Sequence, residues 1–406
     1  MTKPTLLFVS PRFLFPADSG GKIRTTQILR GLKGGAFHIV LACPAPAPQA
    51  PRFEAELRSV ADEVHFWPAA GAQKILRFRH VASRLPVPVA SDRSRAGCEL
   101  IERLFAQRPA VAVFDFIHAA VLLPEKPSAP IVMFTHNVEA EIFARHVTVA
   151  KGALMRTLWR AQHRKMVDFE RASLARFDAV VAVSERDKGK FRDQYGSANV
   201  ATIPTGVDAD FLAFAPPGDD ARIVFCGSMD WLPNVDGVDY FLSEVWPLIA
   251  AKVPNASMSV VGRTPPKSLV AKAKAASDRW SFTGYVDDIR PHVSGAAAFV
   301  IPLRVGGGTR IKAFEAMAMG CPVVSTTIGV EGLPLTPGEH YLRADSAAET
   351  ASAVVGLLED RELRQRLAVT SRRYIEANFS FRVAAKTFEE ICLRAARVRS
   401  PSASRT

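Results

Sequence analysis

Short runs of consecutive apolar residues punctuate the chain: TLLFV at 5–9, FHIVLA at 37–42, VAVFDF at 111–116, PIVMFT at 130–135, AVVAVS at 179–184 and VATI at 200–203. Runs this short and this uniformly apolar suit strands covered on both faces, because a strand with one wet side alternates polar and apolar positions. Residues 22–33, between the first two runs, have the mixed pattern of a helix, so the chain opens as β-α-β. The series predicts a doubly wound parallel sheet. A second cycle begins with RIVFC at 222–226, followed by a helical stretch near 234–250, SMSVV at 257–261, SFT at 281–283, AAFVI at 297–301 and PVVS at 322–325. The polar segment 205–220, punctuated by Pro216-Pro217-Gly218, predicts the joint between the two cycles. The expected architecture is α/β, with two Rossmann-like doubly wound parallel-sheet domains facing across a cleft. Residues 1–205 form the first domain and 206–377 the second. A helix at 378–396 packs back on the first domain, and a flexible tail covers 397–406.

Composition narrows the function. The chain has 406 residues, 48% of them hydrophobic and 23% charged, which supports large cores without disulfide staples. Lys and Arg outnumber Asp and Glu by 52 to 40, and the resulting charge of +12 favours an anionic partner: nucleotide phosphates, nucleic acid or a membrane surface. Five scattered cysteines, Cys43, Cys98, Cys226, Cys321 and Cys392, show neither zinc-ligand spacing nor a disulfide framework, which predicts a reducing, cytoplasmic setting. No run approaches the roughly 20 apolar residues that span a bilayer. Residues 145–176 hold eight Lys or Arg against Asp168 and Glu170, with Leu154, Leu158 and Trp159 nearby, and 74–84 form a second basic patch. A basic amphipathic helix of this kind predicts peripheral contact with an anionic membrane at its inner face, the alternative being a solvated surface helix. No nucleic-acid recognition module accompanies the charge, so no nucleic-acid partner is predicted.

The chemistry concentrates in residues 302–325, PLRVGGGTRIKAFEAMAMGCPVVS. Gly306, Gly307 and Gly308 leave main-chain amides bare just before a helix start, where the helix dipole also favours an anion. Arg310 and Lys312 follow in the first turns, where cations oppose the dipole and a bound diphosphate would account for them. The alternative is a plain glycine-rich turn. The Walker spacing is absent, and no G-x-G-x-x-G follows the first strand, so neither kinase-like nor dinucleotide chemistry has a motif behind it.

This segment resembles the donor-binding loop and helix of the retaining group 1, family 4 glycosyltransferases of GT-B fold. Further pieces fall in that family's order: Gly20-Gly21, Phe134-Thr135-His136, Val183-Ser184-Glu185, Ile203-Pro204-Thr205-Gly206-Val207-Asp208, Val224-Phe225-Cys226-Gly227-Ser228, Val260-Val261-Gly262 and Phe282-Thr283-Gly284-Tyr285-Val286. The resemblance covers nearly the whole chain. It implies transfer of a sugar from a nucleotide diphosphosugar to a hydroxyl acceptor, a glycan, polysaccharide or lipid-linked molecule, with retention of configuration. Glu315 matches the second glutamate of the family's E-x7-E motif and would bind the ribose hydroxyls. Gly307 stands where the first glutamate belongs, so the motif is incomplete. Donor contacts are expected from Gly227, Val286, Arg304, Gly306, Gly307, Gly308, Thr309, Arg310 and Lys312, and from Gly20 and Gly21, whose amides either approach the donor phosphates or the acceptor or form a plain turn. The resemblance also implies a catalytic role for His136 beside the reacting sugar, with Asn137 and Glu139 shaping its loop and His118 a lesser candidate. Relatives place cations after the strand matching Val224–Cys226, whereas this chain reads GSMDWLPNVDG. Arg304, Arg310 or Lys312 would replace them. Asp208-Ala209-Asp210 spells D-x-D, yet at a domain joint it reads as a turn former, and Asp287-Asp288 as a helix cap. Neither a metal nor a cofactor is expected. A non-catalytic nucleotide-sugar or glycan binder, or a same-fold enzyme such as an epimerase, are the rival readings.

Overall fold

A computed structural model describes residues 3–17, 19–45, 51–69, 80–149, 152–204, 206–305 and 311–398. The chain divides into two compact units, Met1–Gly206 with Phe381–Thr406, and Val207–Ser380.

The first unit is built on seven strands: β1 (Thr5–Val9), β2 (His38–Ala45), β3 (Glu63–Pro68), β4 (Val111–Asp115), β5 (Ile131–Phe134), β6 (Ala179–Ala182) and β7 (Val200–Thr202). They are parallel and ordered β3-β2-β1-β4-β5-β6-β7. Alternate residues of β1 face opposite ways, yet both sets are buried. Leu6 and Phe8 join a layer with Val113, Phe134 and Phe388, while Leu7 and Val9 join one with Phe114 and Met133. Burying each such side chain contributes about 1.5–3 kcal/mol, which explains why these strands carry no polar alternation. Phe388 comes from the helix Phe381–Val398, which covers the first of these layers. Ser380, extended at φ −67° and ψ 149°, separates that helix from Arg361–Phe379, so the helix starts three residues later than the pattern predicts. β3 was not signalled in advance because it is an edge strand with a mostly wet EVHFWP sequence, of which only Trp67 is buried.

The second unit has six parallel strands: β8 (Arg222–Cys226), β9 (Ser257–Val261), β10 (Trp280–Gly284), β11 (Ala298–Ile301), β12 (Val323–Ser325) and β13 (Leu342–Arg343). Their order is β10-β9-β8-β11-β12-β13. The expected helix near 234–250 is interrupted: Leu232–Tyr240 passes through a π turn, Phe241–Val245, into Trp246–Lys252. Pro247 lacks an amide hydrogen and its ring crowds the carbonyl one turn back, which accounts for the local widening.

Strand order reverses at β1/β4 in one unit and at β8/β11 in the other. Crossovers leave these points in opposite directions, so a crevice opens beyond the strand ends there. Ser10 and Asp115 lie at the first of these points, Gly227 and Arg304 at the second.

The basic stretch at 145–176 is partly consumed inside the first unit. Lys165 donates to the carbonyls of Val81 and Ser83 at 2.8 and 2.6 Å, and Arg176 donates to Pro124 O at 2.7 Å. Leu158 and Trp159 are half-buried, whereas Leu154 is 82% exposed. These two cations therefore tie down loops, a role that sequence counting cannot separate from a solvated face. No helix among the described residues is long and apolar enough to cross a membrane. Residues 74–79 of the second basic patch lie outside the described residues.

Glu170, on the helix Ala153–Leu174, caps the helix Glu139–Val149. Its carboxylate accepts from the Glu139 and Ala140 amides at 2.8 and 3.0 Å and from Tyr195 OH at 2.9 Å. Burial pushes its pKa up to about 7, the three hydrogen bonds opposing the rise. The folded state then holds a proton that the unfolded state releases, so stability falls as pH rises from about 4.5 to about 7. Denaturant unfolding of Glu170→Gln against wild type should show this: the variant lacks that downward slope, worth about 3 kcal/mol across the window. Parallel pH profiles would sink the assignment.

Candidate functional site

In the first unit the C-terminal ends of β1, β4 and β5 converge on Asp115, a fully buried carboxylate. It accepts from Ser10 Oγ at 3.2 Å, from Thr25 Oγ1 at 3.0 and 3.1 Å, and from His136 Nε2 at 2.7 Å. A carboxylate only accepts, so the short contact assigns the proton to Nε2 and leaves His136 Nδ1 as a lone pair. That Nδ1 is buried and has no hydrogen-bond partner among the described residues. Burial lowers the His136 pKa, and Asp115 opposes this without reversing it, so the ring is neutral at pH 7. Arg24, half-buried nearby, is lowered to about 10 by burial against the pull of Asp187 and Asp115, and stays charged.

His136 is 4% exposed, and Phe116 covers one face of its ring with centroids 4.0 Å apart. Phe116 holds φ +60°. That conformation is rare for a bulky side chain and costs about 1–3 kcal/mol. The strain is tied to neighbours on both sides. The Arg12 guanidinium lies 5.0 Å from the Phe116 centroid, and a Cβ on Gly21 would come within 2.5 Å of Phe116 Cζ. Gly21 therefore makes room for an aromatic ring. Gly20, beside it, has open space where a Cβ would stand. His118 lies apart from this group: its Nδ1 is 3.1 Å from Asp92, and its Nε2 is 3.9 Å from Glu139 Oε2. Asn137 Nδ2 donates to Glu139 Oε1 at 3.5 Å.

In the second unit the ends of β8 and β11 meet the helix Ile311–Ala318. A Cβ on Gly227 would lie 2.7 Å from Asn234 Nδ2 and 3.0 Å from Lys312 Nζ, so only bare backbone fits between them. Asn234 fixes both neighbours, donating to Ser228 O at 2.8 Å and accepting from Lys312 Nζ at 3.0 Å. Lys312 Nζ also lies 4.7 Å from the Phe225 ring centroid. Glu315 stands one helical turn beyond Lys312 and is half-buried. Burial raises its pKa while Lys312 draws it down. Cys226 is pushed up to about 12 by burial and then by Glu315, so it is no thiolate nucleophile at pH 7.

Arg304 is already engaged, holding Asp236 through two contacts at 2.7 and 3.1 Å and lying 4.7 Å over Tyr240. Val286 and Ile311, both half-buried, pack against the same apolar layer, which contains Val224, Cys226 and Phe314. Asp208 Oδ1 accepts the Phe211 amide at 2.9 Å in a turn, and Asp288 Oδ1 accepts the Arg290 amide at 2.9 Å at the start of the helix Arg290–Val293. Among the described residues no group of three or more His, Cys, Asp or Glu could hold a metal. Gly306, Gly307, Gly308, Thr309 and Arg310 lie outside the described residues.

Two family matches bear on these features. Residues 220–360 match the family described as Glycosyl transferases group 1, and residues 19–211 match Glycosyltransferase Family 4. The chain belongs to the group 1, family 4 glycosyltransferases. The phosphatidyl-myo-inositol mannosyltransferase of Mycolicibacterium smegmatis is 26% identical over 266 residues, covering 62% of this chain and 64% of the relative. The alignment thus spans less than two thirds of that relative's length. Sucrose-phosphate synthase from Thermosynechococcus elongatus superposes with a TM-score of 0.67 at 18% identity, covering 98% of this chain and 100% of that one. The Anabaena protein HepE, solved in complex with UDP-glucose, gives 0.63 at 13% identity, covering 96% and 99%. These likenesses establish the GT-B fold.

Within this family 4 member, sequence reading missed several residues around the two groups. Asp115 was hidden inside an apolar run, although a lone acid at the end of a buried strand is itself a signal. Phe116 had none, since a strained φ leaves no mark in composition. Arg263 was also missed. Its Nε donates to Ser228 Oγ at 2.8 Å and it pairs with Asp230 at 3.2 Å, which places a cation beside the very loop that lacks one in sequence.

Proposed function

We propose that this chain is a glycosyltransferase that moves a sugar from a nucleotide diphosphosugar, held by the second unit, to a hydroxyl acceptor held by the first, with retention of anomeric configuration. The observation that carries the reading is the juxtaposition of bare backbone at Gly227, the Lys312 ammonium and the Glu315 carboxylate at the strand-order reversal of the second sheet. Lys312 is fixed against Asn234 and can neutralise charge that develops on a departing diphosphate. Glu315 can accept two hydrogen bonds, which suits the vicinal hydroxyls of a ribose. The reading adds Arg310 and the amides of Gly306–Gly308 to that electrostatic work, with no resident metal assigned. Neutral His136, held by Asp115, offers its Nδ1 lone pair to a sugar hydroxyl. The donor class is supported by HepE's complex with UDP-glucose, and a lipid-linked acceptor by the name of the M. smegmatis relative. Retention follows the family's habit. Gly307 in place of a motif glutamate favours one rival, a binder without turnover.

A thermal-shift panel of UDP and GDP sugars, followed by product analysis with an anomeric assignment by NMR, tests the proposal. The true donor at 100 times its dissociation constant should stabilise by about 2.7 kcal/mol. Absence of any response removes the donor assignment. Binding without transfer or hydrolysis favours the binder, and an inverted product ends the claim of retention.

A further inference from the structure

The first unit contains a cavity of about 600 Å³ that adjoins the Asp115 cluster through Arg12 and extends away from it. Its walls are mostly apolar, Val87, Ile142, Phe143, Leu158 and Trp159 among them. Trp159 is a rigid wall, stacked on His146 at 4.4 Å and met edge-on by Phe143 at 5.8 Å. Two buried polar atoms of cavity-lining residues have no partner among the described residues: His118 Nε2 and Gln162 Nε2. Both side chains are nine-tenths buried or more, the residues being 5% and 4% exposed.

A hydroxyl group suits both. His118 Nδ1 meets the Asp92 carboxylate at 3.1 Å, which leaves Nε2 as the ring nitrogen with a bond to make. Gln162 accepts the Val87 amide with Oε1 at 2.9 Å, so its Nε2 is a donor with hydrogens to place. Glu139, also lining the cavity, holds a carboxylate oxygen 3.9 Å from His118 Nε2, beyond hydrogen-bond reach. Each orphaned group costs about 1–3 kcal/mol unless something fills it. A hydroxyl both donates and accepts, and a polyol does so at several points at once.

We propose that this cavity is an acceptor subsite for glycosides with an apolar aglycone, the sugar hydroxyls bonding to His118, Glu139 and Gln162 and the aglycone lying against Leu158, Ile142 and Trp159. The role of acceptor rests on the transferase reading above; the ligand class rests on the cavity alone. Alkyl and aromatic aglycones share the chemistry that the walls recognise.

Calorimetric titration of the full chain with octyl β-glucoside below its micellar concentration, phenyl β-glucoside, glucose and octanoate tests this. At least one of the two glycosides should bind tenfold or more tightly than glucose and than octanoate, and which one binds better identifies the aglycone. Leu158→Asp, which puts a charge into a half-exposed wall, should weaken that glycoside at least tenfold. His118→Asn should do so too, and it decides the matter should the first variant fail to fold. Equal binding of glucose or octanoate, or unchanged binding in His118→Asn, overturns the subsite. The nucleotide-sugar thermal shift is read in parallel. If it persists while no glycoside binds, the cavity proposal alone falls. If glycosides bind as expected while no nucleotide sugar does, the glycoside site stands and its role as an acceptor site falls.

Discussion

Glu315→Ala is expected to abolish the response to the donor while leaving the free protein as stable as wild type or slightly more so. A carboxylate that accepts two ribose hydroxyls contributes hydrogen bonds worth about 1.5–3 kcal/mol each when one partner is charged. Losing them weakens donor binding by about a hundredfold or more. At a ligand concentration 100 times the wild-type dissociation constant, stabilisation then collapses from about 2.7 to about 0.4 kcal/mol. The free protein does not suffer, because burial already raises the pKa of this carboxyl and so disfavours its charge. Two melting curves separate the roles. A lowered melting temperature without ligand, combined with an undiminished shift on adding it, would show that Glu315 serves the fold and not the donor.

Asp115→Ala should have the opposite signature, a large loss of stability in the free protein. The carboxylate is fully buried and is the shared acceptor for Ser10, Thr25 and His136. Removing it leaves three buried donors unpaired at about 1–3 kcal/mol each, a loss of about 3–5 kcal/mol in all. Asp115→Asn should keep the fold, since the two hydroxyls can rotate and an amide still accepts on one side. As a neutral and weaker acceptor, it would nevertheless hold the imidazole proton at Nε2 less firmly than the carboxylate does. Transfer should then fall with donor affinity unchanged, as read by the turnover number beside the thermal shift. Urea curves for Asp115→Ala that coincide with wild type would end this account.

Much of the fold is legible because its strands announce themselves. Runs such as LLFV in TLLFV and IVFC in RIVFC are apolar at consecutive positions because the sheet is covered on both faces, and the structure places β1 and β8 on those residues, with only the first position of each half-buried. Legibility fails where burial is one-sided or the element is small. β3 is an edge strand with exposed Glu63 and Phe66, and β13 has two residues. The site divides along the same line. Lys312 and Glu315 stand out because a cation in a first turn and a carboxylate one turn later follow a glycine run. Asp115, Phe116 and Arg263 do not, because what distinguishes them is a partner far away in sequence: Asp115 meets His136 across 21 residues, and Arg263 meets Ser228 across 35.

The order of apolar runs, glycines and turn formers was enough to specify two parallel α/β halves and to point at the segment 302–325, because backbone pairing and helix termini obey local rules that residue type alone enforces. Only the tertiary structure decided which polar groups share a neighbourhood. Burial, not sequence distance, makes Asp115 hold the His136 proton, turns Lys165 and Arg176 from surface charges into loop ties, and leaves His118 and Gln162, beside a cavity, each with a buried nitrogen still to pair. A pKa, a tautomer and an orphaned donor depend on solvent exclusion by residues distant in the chain, and that exclusion exists only once the chain has folded.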